Sequence, residues 1–136
     1  MKVIHALDQF SDQQRPVILA AGCFDGLHRG HQAVIQVAID HARACGGEAW
    51  VFTFDPHPAK VLSPDHAPPL IFTTEQQLRH LQDIGVYGCI LQPFTLEFMK
   101  QEPVTFFDNL CQHIPELAGI SVGEDWSFGK NRSGTP

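Results

Sequence analysis

The sequence has 136 residues, of which 43% are hydrophobic and 18% are charged, and its formal net charge is -6 at pH 7. This size and composition fit one globular domain with an apolar core and exclude a disordered chain or a fibre. The negative charge argues against a broad surface for nucleic acid or anionic membrane, so we expect small-molecule partners, no nucleic acid and no membrane.

The four cysteines, Cys23, Cys45, Cys89 and Cys111, are far apart and form no C-x-x-C pair. This spacing predicts neither a zinc knuckle nor a redox dithiol. Each cysteine lies in an apolar segment, which favours buried, reduced thiols over the disulfide framework that the even number also allows. The N-terminal residues carry charge too early for a secretory signal, and no apolar run approaches the roughly 20 residues of a membrane span, so we expect a cytoplasmic protein.

The first regular elements form a strand, helix and strand unit. Residues 17–23 (VILAAGC) are a continuous apolar run, typical of a strand that is buried on both faces of a parallel sheet. Apolar residues then recur at helical spacing from Gly30 to Cys45, and Gly46 follows as a helix C-cap would. The aromatic and β-branched run 48–55 (EAWVFTFD) is the second predicted strand. This order predicts a right-handed βαβ crossover.

The rest of the chain continues the same alternation. Residues 56–74 hold five of the ten prolines, which predicts a shaped loop and not a helix or a central strand. The elements predicted after it are a helix over 74–84, a strand over 87–92, a short helical turn over 96–100, a helix over 103–114 and a strand over 119–123. The order βαβαβαβ indicates an α/β fold with a mainly parallel sheet and helices on both faces.

Three polar segments follow predicted strands directly. They are GCFDGLHRGH (22–31), DPHP (55–58) and GEDWSFGKNRSG (123–134). Ligands of parallel α/β folds bind beyond the carboxyl ends of the strands. The predicted topology and the polar chemistry therefore indicate the same site.

The first of these segments has the chemistry of a phosphate site. It lacks both the G-x-G-x-x-G spacing of dinucleotide folds and the G-K-[ST] ending of a P-loop. Its glycines let backbone N–H groups approach an anion, and the helix predicted to begin near Gly30 points its positive end at the same place. His28 and His31, beside that helix start, can donate hydrogen bonds to phosphate oxygens. We therefore take His28 and His31 as candidate catalytic residues.

In this order, the three segments resemble the nucleotidyltransferase domain of the prokaryotic bifunctional riboflavin kinase/FAD synthetase family. Residues 28–31 (HRGH) match the H-x-G-H signature of the nucleotidyltransferase superfamily, and TFDPHP and GEDWSFGKNRSG are similar to the family's later motifs. The resemblance implies a Rossmann-like nucleotidyltransferase fold over residues 1–136. It also implies FMN adenylyltransferase activity, in which ATP with Mg²⁺ and FMN give FAD and pyrophosphate.

Carried over by position, the resemblance assigns the candidate residues to two groups. The nucleotide side comprises Gly22, Cys23, Phe24, Asp25, Gly26, His28, Gly30 and His31. The flavin side comprises Asp55, Pro56, His57, Pro58, Asp125, Phe128 and Arg132. No residue is assigned to a resident metal.

The sequence also departs from the family pattern. Trp126 stands where the family has phenylalanine, and Ser127 stands where it has a basic or hydroxyl residue. The later Ser/Thr-rich motif that ends in arginine does not occur in this sequence. We therefore expect a nucleotidyltransferase domain without its C-terminal part and without a riboflavin kinase domain, and the sequence gives no indication of an oligomeric state.

Several alternatives stay open from the sequence alone. The two histidines can instead cap a helix or lie on the surface, Asp25 can cap the turn, the DPHP segment can be a stiff turn, and residues 129–134 can be a solvated tail. A zinc site is disfavoured because no cysteine or carboxylate stands at ligand spacing from the histidines. Other functions consistent with the motifs are adenylyl transfer to another phosphorylated acceptor and non-catalytic binding of a flavin or nucleotide.

Overall fold

The structure is a computed structural model that describes residues 1–10, 15–24, 29–55, 65 and 73–123. The described residues form five strands, which are β1 (Lys2–Ile4), β2 (Val17–Ala21), β3 (Glu48–Phe54), β4 (Gly88–Gln92) and β5 (Leu117–Ser121). Their helices are a 3₁₀ turn (Leu7–Gln9), α1 (Arg29–Cys45), α2 (Thr74–Ile84), α3 (Leu96–Met99) and α4 (Pro103–His113).

The strands form one parallel sheet in the order β1-β4-β3-β2-β5. The α/β fold predicted from the sequence is confirmed, with two corrections. The sheet has an additional strand, β1, whose three residues are too few to give a sequence signal. The last strand begins at Leu117 and ends at Ser121, two residues earlier than predicted, because its position is set by pairing with β2.

Local sequence signals explain where the longer helices begin and end. In α2, the Thr73 hydroxyl accepts from the Gln76 backbone N–H at 3.1 Å and the Gln76 side chain accepts from the Thr73 N–H at 3.0 Å, which is a capping box. The same helix ends at Gly85, whose φ of 104° is left-handed and suits glycine. The first residue of α4 is Pro103, a position that needs no donated N–H.

Helices cover both faces of the sheet, as predicted. On one face, α1 and α2 pack on the sheet through a buried cluster that includes Ile18, Val51 and Leu81. On the other face, the 3₁₀ turn and α4 pack through a second cluster that includes Trp50 and Phe52. The two clusters make a three-layer fold whose central strands are buried on both sides.

Two predictions about burial need correction. All four cysteines lie in the described part of the chain and are free thiols as predicted, but Cys45 and Cys111 are exposed, because they lie on the solvent sides of α1 and α4. The helical spacing of the apolar residues in 103–114 predicts that Phe107 shares the buried face of α4 with Phe106. Phe106 is 3% exposed, whereas Phe107 is 39% exposed, because adjacent residues of a helix point about 100° apart.

Two further findings concern particular segments. None of the helices in the described ranges is long and apolar enough to cross a bilayer. The proline-rich segment predicted as a loop, residues 56–74, lies almost entirely outside the described residues.

The strand order places a topological switch at β2. The chain passes from β2 to β3 on one side, whereas β5 pairs with β2 on the other. The carboxyl ends of β2 and β5 therefore flank the crevice where ligands of open parallel sheets bind.

Candidate functional site

The residues after β2 remain attached to the sheet at this crevice. The Gly22 backbone N–H donates to the Phe52 carbonyl of β3 at 3.1 Å, one residue beyond the last paired residue of β2. From β5, the Ser121 hydroxyl donates to the Val34 carbonyl of α1 at 2.8 Å. The turn after β2 is thus attached to β3, and the first half of α1 is attached to β5.

Phe24 has an unusual backbone conformation for a residue with a side chain. Its φ is 47°, in the left-handed region, while its ring is 1% exposed. A Cβ atom built on Gly22 would lie 3.0 Å from Cζ of this ring, so glycine is needed there for close packing. Strained conformations of this kind persist where the surroundings fix them, and they are concentrated at functional sites.

Two side chains from outside the turn hold its carbonyl groups. The Thr53 hydroxyl of β3, which has no exposed surface, donates to the Cys23 carbonyl at 3.2 Å. The Gln77 side-chain amide of α2 donates to the Cys23 carbonyl at 3.3 Å and to the Phe24 carbonyl at 3.2 Å. The turn is therefore supported by a strand and by a helix that is distant in sequence.

His31 lies in the first turn of α1, immediately beside this supported turn. Its imidazole is half-buried and stands edge-on to the Phe24 ring, with centroids 5.4 Å apart and planes at 87°. The 17-residue helix α1 has no acidic residue in its first turn. The positive end of the helix and the His31 ring thus lie together at the switch, where an anion can bind.

Five of the predicted nucleotide-side residues are described. Gly22, Phe24 and His31 pack as above, Cys23 is half-buried in the same turn, and Gly30 is exposed at the start of α1. The other three, Asp25, Gly26 and His28, lie outside the described residues. Their roles, and the pairing of His28 with His31, stay predictions.

On the flavin side, one of the predicted residues is described. Asp55 is exposed at the end of β3, and its backbone N–H donates to the Gln92 carbonyl of β4 at 3.1 Å. It lies at the same edge of the sheet as Gly22, as expected for parallel strands. The remaining flavin-side residues, Pro56, His57, Pro58, Asp125, Phe128 and Arg132, lie outside the described residues.

Sequence reasoning missed three residues that support this site, Thr53, Gln77 and Ser121. A hydroxyl inside the apolar run of β3 is a weak signal that could have singled out Thr53. Gln77 is one of several polar residues on an amphipathic helix, so nothing in the sequence distinguishes it. Ser121 lay inside a predicted strand whose bounds were two residues too late.

An open groove of about 580 Å³ lies at the amino ends of the strands, opposite the candidate site. Glu48, one of its lining residues, is 4% exposed and accepts from both Arg15 and the Trp50 indole N–H. Its carboxylate is therefore occupied within the protein. Across the described ranges, no three His, Cys, Asp or Glu side chains are grouped so that they could hold a metal ion.

A parallel sheet with a supported turn and a helix start at its switch is typical of α/β proteins that bind ligands beyond the carboxyl ends of their strands. The FAD synthetase family model matches residues 10–136. The chain belongs to this family, and the resemblance that the three polar segments predicted is confirmed.

Several bacteria have curated relatives of this chain, and these share the name bifunctional riboflavin kinase/FMN adenylyltransferase. The bifunctional riboflavin kinase/FMN adenylyltransferase of Escherichia coli (strain K12) is 30% identical over 135 residues, which are 98% of this chain and 43% of the relative. The protein with this name from Listeria monocytogenes is 35% identical over 128 residues, covering 93% of this chain and 40% of the relative. The Bacillus subtilis protein is 32% identical over 144 residues, covering 99% and 44%. The chain thus spans about two fifths of the length of these relatives.

A solved structure has the same fold. A chain from Streptococcus pneumoniae, described as a macrolide-efflux protein, aligns with a TM-score of 0.83 and 26% identity over 97% of this chain and 43% of that chain. This similarity and the parallel sheet confirm the predicted Rossmann-like fold.

Proposed function

We propose that this chain is an FMN adenylyltransferase domain, which transfers AMP from ATP to FMN to give FAD and pyrophosphate. The observation that carries the proposal is the left-handed turn at Phe24, whose ring packs against His31 at the start of α1. This turn lies at the topological switch of the sheet, in a chain of the FAD synthetase family. The curated relatives bear the name of this activity.

The reaction is an in-line displacement at phosphorus. An oxygen of the FMN phosphate attacks the α-phosphorus of ATP, the bond from that phosphorus to the oxygen that bridges to the β-phosphate breaks, and pyrophosphate leaves with the bonding electrons. Such a step requires mainly positioning of the reactants and stabilisation of charge. The N–H groups at the start of α1 and the His31 imidazole would stabilise negative charge on the phosphate oxygens.

The proposal extends to the residues and partners that the family resemblance assigns. His28, Asp25 and Gly26 would complete the nucleotide side, and ATP would arrive with its Mg²⁺. Asp55, at the edge of the sheet, would begin the flavin side. We take residues 1–136 as a nucleotidyltransferase domain of a cytoplasmic protein. If the natural polypeptide is longer, a riboflavin kinase domain, an activity that the names of the bifunctional relatives include, is the expected second domain.

The test is to incubate the protein with ATP, Mg²⁺ and FMN and to identify the products by mass spectrometry. We expect FAD and pyrophosphate, and we expect pantetheine phosphate and nicotinamide mononucleotide to be poorer acceptors in parallel reactions. His31→Ala should lower the rate by about 100- to 1,000-fold, since one preorganised donor is removed.

The matched control is His41→Ala, because His41 is exposed on the same helix, about three turns further along it than His31. It should keep the wild-type rate. Absence of FAD from the wild-type reaction, or equal rates for the two alanine variants, would contradict the proposal. ATP and FMN binding without product would support a binding module instead.

A further inference from the structure

Two side chains to which the family resemblance assigns no role support the turn that contacts the candidate catalytic histidine. We infer that Gln77 and Thr53 are positioning residues, which hold the turn at Phe24 so that the Phe24 ring sets the His31 imidazole at the start of α1. The inference rests on the proposed function for its kinetic consequences, but its geometric part does not.

The first step is that the Phe24 conformation needs external support. A left-handed φ is strained for a residue with a Cβ atom, and it persists only where the surroundings fix it. The backbone carbonyls of Cys23 and Phe24 accept hydrogen bonds from β3 and α2, so donors outside the turn hold it. The conformation therefore depends on donors that are 30 and 53 or 54 residues away in sequence.

The second step is that the chemistry of these donors is specific. The Gln77 amide nitrogen carries two hydrogens, and it lies 3.3 Å and 3.2 Å from the two carbonyl oxygens. Thr53 supplies the third hydrogen bond from a side chain with no exposed surface. Because Gln77 binds both carbonyls, it fixes the peptide group between Cys23 and Phe24 and the one after it.

The third step is the transfer of this constraint to His31. The Phe24 ring is 1% exposed and packs against Gly22, where an added Cβ atom would lie 3.0 Å from Cζ of the ring. A ring enclosed in this way has little freedom to follow a moving imidazole. The edge-on contact at 5.4 Å therefore locates the His31 ring relative to the helix start.

The held carbonyls also improve the electrostatics of the site. The oxygens of Cys23 and Phe24 are directed at the Gln77 amide on α2, which satisfies their partial negative charge. A carbonyl oxygen released from these donors could turn toward a bound phosphate and repel it. Gln77 thus favours anion binding at the turn without touching the anion.

The experiment compares two neutral variants with two matched controls. Gln77→Ala and Thr53→Val remove the donors without changing charge, and Gln82→Ala removes an exposed glutamine from the same helix. Thr53→Ser keeps the hydroxyl and serves as the conservative rescue. Thermal unfolding by circular dichroism first verifies that each variant is folded at the assay temperature.

Two readouts are measured on the same samples. The imidazole NMR signals of His31, assigned from their loss in His31→Gln, should shift in Gln77→Ala and Thr53→Val and stay in place in Gln82→Ala and Thr53→Ser. For each lost hydrogen bond, kcat for FAD formation should fall about 10-fold, the effect of about 1.4 kcal/mol, while KM for FMN stays near the wild-type value.

Each outcome decides the inference. Unchanged His31 signals in Gln77→Ala and Thr53→Val would overturn it, and so would equal losses of kcat in the variants and their controls. A wild-type protein that makes no FAD contradicts the proposed function and not the positioning role, which the NMR signals then decide alone.

Discussion

The rings of Phe24 and His31 stand edge to face, with their centroids 5.4 Å apart and their planes at 87°. This contact joins a buried core residue to the first turn of the helix that carries the candidate catalytic imidazole. Phe24 also belongs to the buried cluster beneath α1 and α2. The position of His31 is therefore coupled to core packing, and substitutions that move the Phe24 ring should affect the site.

Gly22→Ala tests this coupling by changing the contact between residue 22 and the Phe24 ring. The added methyl carbon would lie 3.0 Å from Cζ and 3.2 Å from Cε1 of Phe24, so the ring must move. We expect a loss of about 1–3 kcal/mol in the free energy of unfolding, as for overpacked cores. We also expect a lower kcat for FAD formation, because the His31 ring loses its contact.

Gly119→Ala is the control for that variant. Its added carbon would meet Ile18 Cδ1 at 3.3 Å, the far end of a flexible side chain, so the strand should adapt at little cost. Urea denaturation and steady-state rates of both variants are the measurements. Equal rates in the two variants would contradict the coupling.

Glu48→Ala tests the network at the opposite edge of the sheet. The Glu48 carboxylate is 4% exposed and accepts from the Arg15 guanidinium at 3.0 Å and from the Trp50 indole N–H at 3.1 Å. Its removal leaves a buried indole N–H without an acceptor, so we expect unfolding to become easier by about 1–3 kcal/mol.

Arg15→Ala should cost less than that. Because the Arg15 side chain is 56% exposed, the ion pair itself is screened by water, and we expect a loss below about 1 kcal/mol. Chemical denaturation measures both variants, and the rate of FAD formation in each should match the wild type. A larger loss for Arg15→Ala than for Glu48→Ala would refute this reading of the network.

Most of the fold could be predicted because its signals are local. The apolar run that forms β2 is readable from neighbouring residues, as are the stops at Gly46 and Gly85. The errors arose where long-range pairing decides the outcome. The pairing of Val17 with Leu117 sets the start of β5, and no periodicity within residues 117–123 contains that information.

The position of the site could be predicted from the sequence, whereas the hydrogen bonds that support it could not. The glycines and histidines of residues 22–31 stand next to each other in sequence, so their motif marks the carboxyl end of β2. Gln77 contacts that turn only because α2 packs beside α1 on the same face of the sheet. The left-handed conformation of Phe24 was equally hidden, because phenylalanine gives no sequence signal for it.

The cysteines should differ in their reactivity toward iodoacetamide. Cys45 and Cys111 are exposed, whereas Cys89 is buried in β4 and burial raises the pKa of its thiol. Because the thiolate is the reactive form, we expect rapid labelling of Cys45 and Cys111 at pH 8 and labelling of Cys89 only after denaturation. Peptide mass spectrometry over time measures this, and comparable native rates for Cys89 and Cys111 would contradict it.

The buried Cys89 thiol should also make the fold sensitive to alkaline pH. Burial raises its pKa from 9.0 to about 12, so above pH 9 the unfolded chain loses this proton while the folded chain keeps it. The contribution is complete below pH 9 and is lost as the pH rises toward 12, with a slope of about 1.4 kcal/mol per pH unit. In urea denaturation with reductant at pH 8, 9 and 10, Cys89→Ala should start less stable than the wild type and lose less stability as the pH rises.

The control is Cys111→Ala, because Cys111 is exposed on α4, and its stability should change with pH in parallel with that of the wild type. A constant difference between wild type and Cys89→Ala across this range would mean that the thiol does not contribute to the alkaline loss of stability.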